Sequence, residues 1–381
     1  MRDRLLATTA LTVVGYLVAG SLAVAAEPAK EPKEVPHDAQ PLHVKVGGYM
    51  EQFVGYTDQD LPGKDVTGFD VKSDTEIWFT GAAVLDNGIE IAVDVQLEGN
   101  STSDQIDESH LKISGAFGRV IVGSENSAMY LMHVAPKDFG FGLNSGDNVE
   151  WVDFTGVGAD TGVFRGPFAS TYVEPGRVND ANRLTYISPT LAGLQLGASW
   201  VPDSAEDSNT TVDKETSVHD GVALSARYQR KIGPVALAAS VGWGMMQAAN
   251  SSTASDPTAY NAGLSLGWSD WTLAAAVAGS ENDTATGDST GWTVGLNYAP
   301  GPWKLSLAGF FGDRDGSTTA NAGGSGARKA SYDTVQLEAG YDLGPGVSVV
   351  GVLGYANLED RSGFGTDSDA VYGVSMVRLS F

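Results

Sequence analysis

Apolar and polar residues alternate with a period of two along most of the chain, and the final stretch, "VYGVSMVRLSF", shows the pattern plainly. Val371, Gly373, Ser375, Val377, Leu379 and Phe381 form one set; Tyr372, Val374, Met376, Arg378 and Ser380 form the other. Period two puts successive side chains on opposite faces of a β-strand. "GIEIAVDVQLEG" repeats it, with Ile89, Ile91, Val93, Val95 and Leu97 set against Glu90, Asp94, Gln96 and Glu98. The Asn87-Gly88 pair that opens this run is a hairpin signal, because both positions tolerate positive φ.

Sixteen such runs are predicted, starting near His43, Thr75, Gly88, Ile106, Arg119, Asn182, Gly193, Gly221, Pro234, Thr258, Trp271, Thr290, Trp303, Ser331, Val347 and Asp369. Short connections ("DNG", "AFG", "KIGP", "SDW", "APGP", "LGPG") alternate with long polar ones such as "PDSAEDSNTTVDKETS" and "SENDTATGDS". One rim of tight turns and one of long loops is what an up-and-down barrel gives. A soluble sandwich is the competing all-β architecture, but the apolar runs here are bracketed by aromatics, as in Tyr260 to Trp268 and Trp303 to Phe311. Eight tilted residue steps cover roughly 20 Å, close to the apolar band between the aromatic girdles of a membrane barrel. The apolar face of the last strand therefore meets lipid, and Arg378 faces the lumen.

Charge and composition narrow the function. There are 47 acidic and 23 basic side chains, a net charge of −24 that excludes a nucleic-acid partner, which needs clustered Lys and Arg. Cysteine is absent, which removes disulfides, thiolate metal sites and cysteine nucleophiles together. Residues 1–26, "MRDRLLATTALTVVGYLVAGSLAVAA", have a basic start, an apolar stretch and a small-residue end, the pattern of a signal peptide cleaved after Ala25 or Ala26. Residues 27–41 are rich in proline and mixed charge and read as an extended periplasmic leader, with the barrel in residues 42–381. No later segment has the run of apolar residues a transmembrane helix needs.

The signal peptide, the strand "VKVGGYMEQFVGY", the hairpin "NRLTYISPTLAGLQLGASWVPD" and the terminal Phe381 together resemble the Gram-negative general porins, most of all those of alphaproteobacteria. The resemblance covers essentially all of residues 42–381. It implies a 16-stranded transmembrane β-barrel in the outer membrane, a homotrimer in contact with lipid and lipopolysaccharide. It also implies passive passage of small hydrophilic solutes, and a third long loop folded inward to narrow the pore.

Between "RVIVGS" and "NRLTYIS" lie 57 residues, 125–181, out of scale with every other connection. A connection this long is functional or disordered. It follows the fifth strand, where the resemblance puts the constriction loop. Its acids Asp138, Asp147, Glu150, Asp153 and Asp160 are candidates for the pore lining, or are simply solvated loop acids. Alternation puts Lys45, Lys112, Arg119, Arg183, Arg227 and Arg378 on the lumen side, where they either face the loop acids or balance neighbours such as Glu51, Glu76, Glu90 and Asp94. Charges of one sign on the loop and the other on the wall would set a transverse field, with Asp147, Glu150 and Asp153 facing Arg183 and giving a weak cation preference. Phe381 is the candidate assembly signal.

Catalytic and cofactor chemistry is not suggested. The five histidines lie far apart, and "DRDGS" lacks the remaining ligands of a calcium loop, so no cofactor is expected beyond opportunistic Ca2+ in acidic loops. The alternatives are a substrate-specific channel for sugars or anions and, less favoured, an outer-membrane hydrolase, for which the sequence offers no nucleophile and base on one outer girdle.

Overall fold

A computed structural model describes residues 40–100, 105–158, 165–204, 210–282, 288–315 and 329–381. The stretch expected to be a signal peptide and most of the stretch assigned to a leader lie outside the described residues, as does Asp160.

The strands run in chain order. The first quarter is β1 (Gln40–Asp60), β2 (Gly68–Val84), β3 (Glu90–Glu98) and β4 (Ile106–Gly115). β5 (Gly118–Ser124) precedes the long connection, whose described residues contain one α-helical turn, α1 (Ala128–Leu131), and three short 3-10 turns. Beyond it come β6 (Asn182–Ile187), β7 (Leu194–Asp203), β8 (His219–Ile232), β9 (Val235–Gln247) and β10 (Thr258–Trp268). The chain ends with β11 (Trp271–Glu281), β12 (Ser289–Tyr298), β13 (Trp303–Arg314), β14 (Ala330–Gly344), β15 (Val347–Asp360) and β16 (Ser368–Ser380).

Every strand pairs with its chain neighbours, and β1 pairs antiparallel with β16, so the sheet is a closed 16-stranded barrel. The alternation read from the sequence sets the register. On β16, Tyr372, Val374 and Met376 are at most 3% exposed, whereas Val371 and Phe381 are 59% and 67% exposed. Tyr260, Leu264 and Trp268 on β10 and Trp303, Leu305 and Leu307 on β13 are likewise on the outer face. Aromatic pairs mark its rims: Trp271 stacks on Tyr298 at 4.3 Å between centroids, and Trp292 on Phe311 at 4.2 Å. Rings stacked at the ends of an apolar belt are what the interface between hydrocarbon and headgroups selects.

Two boundaries differ from expectation. β1 begins at Gln40, so the last two positions of the stretch assigned to the leader are strand. β2 begins at Gly68 and not near Thr75, because Phe69 and Val71 continue the ladder past the polar Lys72-Ser73-Asp74, and Phe69 packs on Tyr56 at 4.9 Å. Backbone pairing needs no apolar side chain, so an alternation count stops short of it.

The seam closes at the last residue. The Phe381 N–H donates to the Gly48 carbonyl at 3.1 Å, and the Gly48 N–H donates back to the Phe381 carbonyl at 3.1 Å. Gly48, at φ 151°, brings its Cα side so close to β2 that a Cβ would stand 2.2 Å from the Glu76 carbonyl oxygen. Deleting Phe381 removes both seam bonds. Folded protein in the outer-membrane fraction, measured as the fast-migrating band of unheated samples on electrophoresis, should then drop several-fold. Unchanged levels would show that the residue is dispensable for closure.

Candidate functional site

The buried face of the wall is polar where it meets the long connection, and its side chains bond to the connection's backbone. Ser199 accepts from the Ala128 N–H and Ser240 from the Val134 N–H, both at 2.8 Å. Asn261 donates to the Met129 carbonyl at 3.2 Å, Asn297 to that of Lys137 at 2.7 Å, and Gln336 to that of Phe141 at 3.2 Å. Thr57 donates to the Trp151 carbonyl at 2.9 Å, and Gln59 exchanges two bonds of 2.8 Å with the Asp153 backbone. Asn148 reaches the hydroxyls of Tyr332 and Tyr372 at 2.7 and 3.2 Å. An irregular segment cannot satisfy its own backbone groups, so these wall residues hold it in place.

Between the connection and the arc β13–β1 lies an apolar cluster that includes Phe53, Phe141, Trp151, Phe154, Phe168, Phe310, Tyr332 and Tyr372. Phe141, Trp151, Phe154 and Phe168 of the connection thus pack on the wall. On β12 and β13 the approach is backbone to backbone: a Cβ at Gly291 would stand 1.9 Å from the Pro167 carbonyl oxygen, and one at Gly312 2.0 Å from that of Phe168.

The six basic residues assigned to the inner face are there by register, with different fates. Arg183 is buried and binds Glu174 of the connection at 3.0 Å, as well as the carbonyls of Ala181 and Val178. Arg378 pairs with Glu51 at 2.7 Å and lies over the Tyr49 ring; Lys112 stands 3.6 Å from Asp94. Lys45, Arg119 and Arg227 form no ion pair among the described residues. Arg227 approaches His133, Lys137 and Tyr172 of the connection.

Among the loop acids, Asp147 accepts from the Ser145 hydroxyl at 2.6 Å, and burial holds its carboxyl well above the usual range. Burial pushes Asp138 up to about 6, against the pull of backbone N–H groups around Leu143 and Asn144. Glu150 lies close enough to Asp74 and Asp147 to repel both. Asp153 does not face Arg183 as expected. It binds Lys64, in the β1–β2 connection, at 2.9 Å and the Thr155 hydroxyl, and these bonds outweigh its partial burial and lower its carboxyl. Arg183 has taken Glu174 instead, because only nine residues separate them and both are carried into one buried pocket.

Sequence reasoning placed Glu76 and Glu98 on the polar face but missed the other acids of the wall. Asp74 and Glu76 on β2, Glu98 on β3, Asp107 and Glu108 on β4 and Glu338 on β14 are all buried on the inner side, and Glu338 accepts the Phe139 N–H. Strand parity signalled Glu76 and Glu98; the others needed the true strand bounds and pairings.

The comparisons bear on this arrangement. A family model described as Gram-negative porin matches residues 7–361. The chain belongs to the Gram-negative porin family. No curated relative matches it. Similar solved structures include Salmonella typhi OmpF in complex with daunomycin, at TM-score 0.61 and 12% identity over 89% of this chain and 97% of that one. The trimer form of Vibrio cholerae OmpT gives 0.58 and 13% over 90% and 100% of the two chains. The outer-membrane channel DcaP of Acinetobacter baumannii gives 0.58 and 13% over 89% and 97%. At these identities the likeness is one of fold. The porin is an outer-membrane diffusion channel and not an enzyme.

The buried Arg183–Glu174 pair gives this porin a clean test. Arg183→Ala leaves Glu174 buried without its cation, a loss of about 3–5 kcal/mol for such pairs. Limited proteolysis within residues 125–181 should speed up markedly while the barrel stays heat-modifiable. An unchanged digestion rate would mean that the pair does not anchor the connection.

Proposed function

We propose that this porin passes small hydrophilic solutes and ions with a weak preference for cations, and that the 125–181 connection folds inward to narrow its water-filled channel. The supporting observation is the uneven charge of the inner face. Glu51, Asp74, Glu76, Asp94, Glu98, Asp107, Glu108 and Glu338 sit on β14 and β1–β4, while Arg227 sits on β8, about halfway round the ring. The connection adds Asp138, Asp147 and Glu150 to the acidic arc and Lys137 to the side of Arg227. Opposite signs across a narrow gap orient a polar solute in transit and raise the local concentration of cations.

The preference is a few-fold only. Most of the net charge of −24 lies beyond a Debye length of about 8 Å from any one path and is screened at physiological salt. Several lumen acids are already paired with Arg378, Lys112 or Arg165. We also propose a homotrimer. A trimer form of the similarly folded OmpT supports it, as do the small outward residues Gly48, Gly81 and Ala83 that allow close contact between barrels.

The zero-current potential across a bilayer with a potassium chloride gradient tests the charge argument. Cation preference should grow as salt is diluted and weaken as pH falls through about 6, because Asp138 is charged above that value and neutral below it. Asp138→Asn should remove the pH step, and Glu150→Gln should lower the preference at every pH. Native anion preference would overturn the reading. Native mass spectrometry in mild detergent should find three copies; a monomer alone would refute the trimer.

A further inference from the structure

We propose that Glu76, Asp107 and Glu108 form a binding site for a divalent cation, Ca2+ above all, in the inner wall of the barrel. One carboxylate oxygen from each lies within 4.8 Å of the others, and all three side chains are buried. Oxygens on one Ca2+ sit 2.3–2.6 Å from the ion, so two of its ligands stand at most about 5 Å apart. The spacing fits a shared ion.

A break in strand pairing builds the cluster. Val95 of β3 pairs with Ser109 of β4, but Leu97 pairs with Ile106, so Asp107 and Glu108 together oppose the single residue Gln96. An extra residue of this kind re-aims a side chain, and here two consecutive acids are buried where strict alternation would send one of them to lipid. Glu76 arrives from β2, paired with Glu98 across β3.

Asp107 and Glu108 form no ion pair with a Lys, Arg or His side chain among the described residues. Asp107 is 2% exposed and Glu108 1%. Neither oxygen of Asp107, nor Oε2 of Glu108, meets a hydrogen-bond donor. The nearby guanidinium of Arg165 is engaged with Asp180 at 3.2 Å and with Asn126. Asn126 also reaches the other oxygen of Glu108, at 3.4 Å. Three carboxylates in so dry a pocket need a cation or protons to neutralise them. All-oxygen ligands select hard ions, and the adaptable coordination of Ca2+ suits carboxylates fixed on two strands better than the strict octahedron of Mg2+.

Trp78 provides the probe, since its indole N–H donates to Oε2 of Glu76. The full-length porin in detergent, stripped with a chelator, is titrated with CaCl2 by calorimetry and with TbCl3 by tryptophan-sensitised luminescence. One saturable Ca2+ per protomer is expected. Ca2+ should displace the Tb3+ signal at lower concentration than Mg2+ does. The pair Asp107→Asn with Glu108→Gln should weaken binding at least about tenfold, because affinity follows ligand charge. Trp78→Phe should leave the Ca2+ stoichiometry intact and dim the terbium signal, which keeps the test decisive if the double variant does not assemble. Absence of saturable binding by the native porin, or equal binding by the double variant, would overturn the site and leave shared protons as the neutralising charge. A terbium signal undiminished in Trp78→Phe would place the ion elsewhere.

Discussion

A backbone N–H or C=O that enters hydrocarbon must find a partner within the protein, since lipid offers none and each unmet group costs several kcal/mol. The strand order follows from that. Each of the 16 strands satisfies its neighbours, and the ring leaves no edge because β16 returns to β1. The same requirement explains the side-chain code. With pairing fixed by the ring, alternate positions are free to meet lipid on one side and the interior on the other, which is why Leu379 and Arg378 can be neighbours in sequence.

Where the wall meets the long connection the constraint reappears in another form. The described residues of the 125–181 connection have little regular structure, so backbone groups left over from their own turns are satisfied by Ser, Thr, Asn and Gln side chains spread over the wall. Glycines at 291 and 312 let the two backbones approach, and an apolar cluster fills the space toward β13–β1. The result is a barrel with two apolar surfaces of different kinds. The outer one is solvated by lipid, and the inner one is packed as a protein core is packed.

Much of the fold was legible because its cause is local. Alternation, short turns and long loops located all sixteen strands, and the ends of the long connection, Ser124 and Asn182, fall where the sequence placed them. The candidate site was less legible. Parity found the inner side of Arg183, Arg227 and Arg378, but it could not say that Arg183 would be consumed by Glu174 or that Asp153 would turn to Lys64. Those pairings depend on the path of an irregular segment, which has no period to read. Asp107 shows the other limit: one extra residue against Gln96 turns inward a side chain that a count by twos sends outward.

The connection touches both sides of the seam. Thr57 and Gln59 on β1 hold the stretch around Trp151 and Asp153, while Tyr372 on β16 shares Asn148 with Tyr332 of β14. The first and last strands to be synthesised are therefore fastened by the same connection as well as by their own ladder. A barrel built this way resists lateral opening at the one junction that the chain does not close covalently, because parting β1 from β16 would also strip their bonds to the connection.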